Sequence, residues 1–455
     1  TKLIFCSKQK MTKSPAPPPL PRIQILMVAA LFLGYFLLFW ARKALTFVIP
    51  FVLSAGDMSQ SELGLLLSWQ QAGYTVSKFI AGLVVDRVSP KALLSGAFGL
   101  SGIVGLTLAA TESLAMRCVL MIASGIVIGV AWPSTVKIAK AWVAPFAFGT
   151  AWAVLSTAMN ACGIVGAPLS VQLSINYSWR ASVQLPSVCC LAFCLPFVLL
   201  IASEPSVVQL SSQTKTERPD DAKSAPKSSW LTDWLQLLTD PVCLSCNLGY
   251  MSVNACRYSV DWLPVFLSES RNLTPTDGAA FTSCLQAGGI VGSLTAGLLA
   301  DAAFAAASSS SASSSPRRWQ FNQPRLLVIC CFNLLCVAFL HTIVALSNPD
   351  WPVVAYQALG FCLGVCLFGP VAVYGVIATE SAPTRLAFTS HAFCALFANV
   401  GAMVSGYPLG LAASKFGWPA SVAALEFWVL VTTVGHAIVL HRISLSAKEK
   451  QLKAD

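Results

Sequence analysis

Charge is scarce in this chain. Of its 455 residues only 11% are Asp, Glu, Lys or Arg, and there are 19 acidic residues and 4 histidines. The sequence offers no pair of carboxylates placed for general acid–base work and no His, Cys and acid set at metal-ligand spacing, so neither an enzyme nor a cofactor or metal centre is expected. A Gly-rich phosphate-cradling loop of the ATPase kind is also missing. Any directed movement this chain performs therefore has to draw on gradients. The alternating apolar and polar pattern of a membrane barrel is absent. No cleavable signal peptide is evident; the sequence opens on Thr1 rather than Met, which leaves upstream residues, and a targeting segment among them, open.

What the chain has instead is apolar length: 56% of residues are hydrophobic and the mean hydropathy is +0.69. Runs long enough to cross a bilayer, about 20 residues each, recur at 24–53, 62–85, 92–110, 117–140, 149–172 and 181–202, then at 240–267, 278–300, 325–346, 351–378, 387–411 and 418–441. The expected fold is an all-α membrane protein with twelve transmembrane helices in two six-helix halves, at 24–202 and 240–441. A basic, Pro-rich tail (1–23), a polar linker (203–239) too hydrophilic to span or pack, and a C-terminal tail (442–455) complete the division. Most of the 29 Lys and Arg lie in segments that are cytoplasmic if both termini are cytoplasmic, with Arg117, Arg180, Arg271 and Lys415 on the other side. The net charge of +10 is mostly this topological bias and does not indicate nucleic-acid binding. The sixteen Cys, among them Cys189-Cys190, Cys330-Cys331 and the Cys243/Cys246 pair, fall largely inside the spans and read as small apolar residues.

Two adjacent cations, Arg42 and Lys43, sit deep inside the first span. A charge near the centre of a bilayer helix costs about 2.5 to 3.5 kcal/mol, so such residues face a cavity or a partner and are functional by default. Their context recurs. Leu33-Gly34-Tyr35 is matched by Leu248-Gly249-Tyr250, Arg42 by Arg257, Phe51 by Phe266, Gln71 by Gln286, Gly73 by Gly288, Gly82 by Gly297 and Asp86 by Asp301, every pair 215 residues apart. A constant offset over two helices marks an internal repeat, and parallel six-helix repeats with a site at their interface are one transporter design. Beyond Asp301 the register drifts, across an Ala/Ser-rich stretch (302–315) read as a flexible insertion. The repeat puts Arg42 and Arg257 at equivalent depth, where two planar guanidinium groups suit a compact oxyanion, phosphate best of all. The plainer alternative is that Arg257 pairs with Asp261 four residues on. Lys43 has no repeat partner and reads as supporting.

Smaller expectations attach to other residues. Lys78 adds attraction for the anion, pairs with an acid, or snorkels. His391 hydrogen-bonds a ligand oxygen, titrates, or is satisfied by a backbone carbonyl. Tyr35, Trp40, Tyr74 and Trp132 line the cavity and stack on a sugar ring, or simply pack. Asp86 and Arg87, with Asp301 in the second half, are the gating candidates at helix ends. Asn176-Tyr-Ser and Asn272-Leu-Thr are glycosylation triplets in loops facing away from the cytoplasm.

Arg42-Lys43 before Phe47 and Pro50, the run from Gly73 to Phe79, Arg257-Tyr-Ser-Val-Asp-Trp-Leu-Pro, Trp132-Pro133 and Phe368-Gly-Pro370 resemble the organophosphate:phosphate antiporters of the major facilitator superfamily. Phe148 to Asn160, Tyr177-Ser-Trp-Arg180, Tyr374 to Pro383 and Thr389-Ser-His391 with Ala398-Asn-Val-Gly401 are similar, more narrowly, to the glucose-6-phosphate translocases of the endoplasmic reticulum. The resemblance implies exchange of a sugar phosphate, glucose 6-phosphate first, for inorganic phosphate by alternating access. Arg42 and Arg257 then hold the phosphoryl group and Lys78 contributes. It also implies an endoplasmic reticulum address, with plastid and plasma membrane left open. Met159 stands where the bacterial glycerol 3-phosphate carriers have histidine, and Arg257 where the vertebrate translocases have lysine. Asp301-Ala302 lacks the cation that usually follows, leaving Arg317 or Arg318 to substitute, or a weaker gate. The rivals are a carrier for triose phosphate, glycerol 3-phosphate or phosphoenolpyruvate, and a transporter-like sensor. The partners expected are sugar phosphate, inorganic phosphate and the bilayer, with no nucleic acid; a monomer is compatible with all of this.

Overall fold

A computed structural model describes residues 22–84, 88–143, 145–201, 239–310, 323–382 and 387–451. The described residues are helical almost throughout and contain no strand. The first half comprises α1 (Ile23–Ser54), α2 (Gln60–Val84), α3 (Pro90–Ala110), α4 (Leu114–Trp142), α5 (Ala147–Asn176) and α6 (Trp179–Leu200). The second comprises α7 (Pro241–Ser259, continued by Leu263–Arg271), α8 (Pro275–Ser310), α9 (Pro324–Leu346), α10 (Val353–Ser381), α11 (Ala387–Val404, continued by Tyr407–Phe416) and α12 (Trp418–Gln451). Ten of these are long and apolar enough to cross a membrane, which makes the chain a multi-pass membrane protein. The other two, α2 and α7, are more polar because they carry Gln70, Gln71 and Lys78, and Asn247, Ser252, Asn254 and Arg257, on faces turned to the protein interior.

One expectation is corrected. The Ala/Ser-rich stretch does not begin as a loop, since α8 runs on to Ser310; alanine has the highest helix propensity, so the helix continues past its last span residue. The drift of register beyond Asp301 is a change of offset, as an insertion requires. Beyond the insertion the repeat resumes at an offset of 239, which is 24 more than before. Gly73 of α2 packs on the Ile122 carbonyl of α4, and its match Gly288 of α8 packs on the Phe361 carbonyl of α10. Gly125 meets the Gln70 carbonyl just as Gly364 meets that of Leu285. At the start of α6 Trp179 donates its indole N–H to Asp57 at 2.6 Å, and at the start of α12 Trp418 donates to Glu269 at 2.9 Å.

The halves are sealed to each other at the end that carries residues 55–59. One cluster of buried apolar side chains runs through both, with Val48, Ile49, Leu63 and Leu66 from the first half and Val265, Phe266, Leu267 and Phe281 from the second. Separate clusters fill each half: Leu31, Leu38 and Phe98 in the first, Leu326, Ile329 and Tyr374 in the second. Asn176 and Asn272 lie exposed at the sealed end, Asn272 in the left-handed backbone region at φ 56.

Proline breaks supply groups for the seal. In α5 Pro168 withholds the N–H that a regular helix would return to Ile164, and the Ile164 carbonyl accepts from Ser283 of α8 at 2.9 Å. In α11, broken ahead of Pro408, the Ser68 hydroxyl of α2 accepts from the Tyr407 N–H at 2.8 Å and donates to the Met403 carbonyl at 3.0 Å. Ser68 thus stands in for the missing i to i−4 bond of another helix. Only a residue without Cβ fits beside it, since a Cβ on Gly406 would lie 2.3 Å from Ser68 Oγ.

Candidate functional site

Arg42 and Arg257 lie in α1 and α7, each ahead of a helix break. Arg42 is 3% exposed. One terminal nitrogen donates to Gln71 Oε1 at 2.8 Å, and the guanidinium carbon lies 4.4 Å from the Tyr74 ring centroid and 5.5 Å from that of Phe39. Its Nε is buried with no partner among the described residues. Arg257 is half-buried, with its guanidinium carbon 4.4 Å from the Phe368 ring and 5.6 Å from the Tyr258 ring, and a terminal nitrogen 3.8 Å from Met159 Sδ. Both cations therefore rest on aromatic faces, which attract a guanidinium through the ring quadrupole while leaving its N–H edge available.

Between them stands an ion pair. Lys43 Nζ lies 2.5 Å from Asp261 Oδ2, joining α1 to the turn within α7, and also 5.1 Å from the Tyr258 ring. Asp261 is thus bonded to Lys43 across the two halves rather than to Arg257 on its own helix, which removes the plainer alternative for Arg257. Two adjoining cavities share the wall made by Lys43, Tyr258 and Asp261. One is lined by Arg257, Met159, Gln286 and Phe368; the other by Arg42, Gln70 and Gln71. The arrangement presents guanidinium N–H groups from opposite halves to the space around one neutralised pair, which suits a doubly charged tetrahedral anion better than a monovalent or cationic ligand.

The remaining expected residues are distributed around this centre. Lys78, half-buried, has its ammonium 5.5 Å from the Tyr74 ring, whose other cation is Arg42. Tyr35 is buried, 5.1 Å from Trp132, which in turn makes an edge contact with Trp152 at 5.3 Å, so an aromatic series leads away from Phe39. His391 is exposed, with Nδ1 3.3 Å from the Gly375 carbonyl and no bond to either arginine. Trp40 packs elsewhere, its indole donating to Ser170 of α5 at 2.9 Å, and so acts within the first half's packing. Asp86 and Arg87 lie outside the described residues, as do Arg317 and Arg318. The cation at Asp301 is Arg325 of α9, 3.5 Å away and also bonded to Glu380 of α10.

Residue-by-residue reading missed four amides. Asn160 of α5 donates to Gln286 of α8 at 3.2 Å, and Gln71 of α2 donates to Asn399 of α11 at 3.5 Å. Gln71 and Gln286 were already one of the matched pairs, and Asn160 and Asn399 are related by the later offset of 239. Tyr258 and Phe368 were missed because an aromatic in a membrane helix carries no signal of its own.

Comparison with known proteins identifies the family. The model of the Major Facilitator Superfamily matches residues 31–406. A probable hexose phosphate transport protein of Chlamydia pneumoniae is 24% identical over 93% of this chain and 92% of its own length. The membrane sensor protein UhpC of Escherichia coli is 24% identical over 86% of each chain. The glycerol-3-phosphate transporter of Haemophilus influenzae is 26% identical over 87% of each. Among solved structures, a bacterial homologue of the human lysosomal transporter Spinster, in an inward-facing and unoccupied conformation, superposes with a TM-score of 0.72 at 14% identity, covering 93% of this chain and 98% of that one. With the family model covering most of its length and the fold agreeing, this chain belongs to the Major Facilitator Superfamily.

Proposed function

We propose that this protein is an antiporter that exchanges a sugar phosphate, glucose 6-phosphate first among them, for inorganic phosphate by alternating access. The observation that carries the reading is the pair of arginines on aromatic faces, one from each half, around the Lys43–Asp261 pair. A phosphoryl dianion between them offsets the repulsion of the two like charges, so occupancy favours approach of the halves and an empty site opposes it. Slow switching of the empty carrier makes exchange obligatory. Met159 beside Arg257 gives that guanidinium a soft, weak acceptor that a phosphoryl oxygen displaces easily. Phe39, Tyr258 and Phe368 in the wall of the cavity at Arg257 offer aromatic faces to the apolar side of a sugar ring. The Chlamydia relative's name supports the same class.

In this reading the termini are cytoplasmic, the sealed end with Asn176 and Asn272 faces the lumen of the endoplasmic reticulum, and the open state is the cytoplasmic one. The deciding measurement is glucose 6-phosphate uptake into proteoliposomes loaded with or without inorganic phosphate. Uptake only into loaded vesicles is expected, and equal rates in empty ones would overturn antiport. The relative named as a sensor favours a second reading, binding without movement. Saturable binding of glucose 6-phosphate with no counterflow in any loading would establish that instead.

A further inference from the structure

The seam between α2 and α11 contains a chain of hydrogen bonds whose direction is fixed. Arg42 can only donate, so Gln71 must turn its carbonyl toward Arg42 and its NH2 toward Asn399, and Asn399 must present its own carbonyl. Gln71 is 4% exposed and Asn399 is 8% exposed, so neither amide has ready access to water. One turn away the same seam is held by Ser68, seated in the break of α11. That hydroxyl bridges the Tyr407 N–H and the Met403 carbonyl, the i to i−4 pair that the break of α11 keeps apart. The matching seam between α5 and α8 has the equivalent Ser283 and the Asn160–Gln286 contact, yet no bond from Gln286 to Arg257 occurs among the described residues. The link between arginine and seam belongs to one side only.

We infer that Gln71 is a positioning residue that couples anion occupancy at Arg42 to release of the α2–α11 seam. This rests on the reading of Arg42 as an anion ligand. An anion that takes the Arg42 N–H now held by Gln71 leaves the Gln71 carbonyl without a donor in a buried site, and a buried acceptor is not left unpaired. Rotation of the amide gives its NH2 to the anion and turns the Gln71 carbonyl against that of Asn399, acceptor to acceptor, which breaks the seam contact. The long 3.5 Å separation of Gln71 from Asn399 makes this the contact that yields. Binding on one side of the carrier thus loosens the sealed end on the other.

The test is hydrogen exchange read by mass spectrometry on the full chain in lipid nanodiscs, over peptides covering 60–72 and 398–410, with and without inorganic phosphate, alongside calorimetric phosphate binding. In the parent protein phosphate should raise exchange in both peptides about fivefold, the equivalent of one neutral hydrogen bond. Gln71→Leu should show the raised level without phosphate and no further rise at phosphate concentrations that calorimetry shows to saturate the variant. Asn399→Asp keeps the acceptor and should retain the phosphate response; Asn399→Leu removes it and serves in place of Gln71→Leu if that variant fails to fold. A full phosphate-induced rise in Gln71→Leu or Asn399→Leu overturns the coupling and leaves the anion site standing. Failure of the parent protein to bind phosphate overturns the anion site and the coupling with it.

Discussion

Lys43 of α1 and Asp261 of α7 form an ion pair at 2.5 Å between residues 218 positions apart, and each is less than a fifth exposed. This pair neutralises Lys43, so the arginines Arg42 and Arg257 remain in excess, with Lys78 beyond the Tyr74 ring. It also ties α1 of the first half to α7 of the second.

Removing one member should therefore cost more than removing both. Asp261→Asn leaves a buried lysine uncompensated and is expected to destabilise the protein by about 3 kcal/mol, whereas Lys43→Met combined with Asp261→Leu is near neutral for stability. Thermal unfolding in detergent measures the difference, and a double variant less stable than Asp261→Asn would contradict the pairing.

Arg42→Lys and Arg257→Lys keep the charge and lose the planar fork. Loss of a charge-assisted hydrogen bond in each should lower exchange about 10- to 100-fold. Phosphate counterflow in proteoliposomes is the assay, and a lysine variant at parental rate would remove that residue from the site.

Phe368→Leu deletes the face under Arg257 while keeping the volume largely filled. A partly exposed cation–π contact is worth about 0.5–1 kcal/mol, so the expected effect is a KM raised about threefold with little change in maximal rate. Substrate-dependence curves separate this from a folding defect, which would lower the maximal rate alone.

Gly288→Val should fail at the level of folding. A Cβ on Gly288 would lie 2.0 Å from the Phe361 carbonyl oxygen, backbone against backbone, with no flexible atom to yield. The helices α8 and α10 would have to part, at a cost of about 1–3 kcal/mol or more. Gly297→Ala, one helix face away with open space around it, is the control, expected to be recovered at parental yield by size-exclusion chromatography.

Several features were legible before any coordinates. Membrane helices announce themselves by composition, and Arg42 and Arg257 by the energetic oddity of a charge inside an apolar run, sharpened by the constant offset. The offset was lost beyond Asp301 because the insertion lengthens the second half by 24 residues, so Asn160 and Asn399, or Trp179 and Trp418, no longer align by simple subtraction. The cation at Asp301 escaped for a related reason: Arg325 begins the next helix and is brought back alongside only when α8, α9 and α10 pack together.

By itself, then, the sequence determined the class of the fold, the two-fold repeat and the identity of the two cations, because hydropathy and repeat spacing are properties of neighbouring residues and survive without knowledge of which faces meet. The tertiary structure alone decided that Asp261 answers to Lys43 and not to Arg257, and that Gln71 links Arg42 to Asn399. It also decided that Ser68 completes a broken helix in the other half. Those choices depend on which faces of α1, α2, α7 and α11 cross and at what height, and a pairing over hundreds of residues is fixed by the packing of every helix between them.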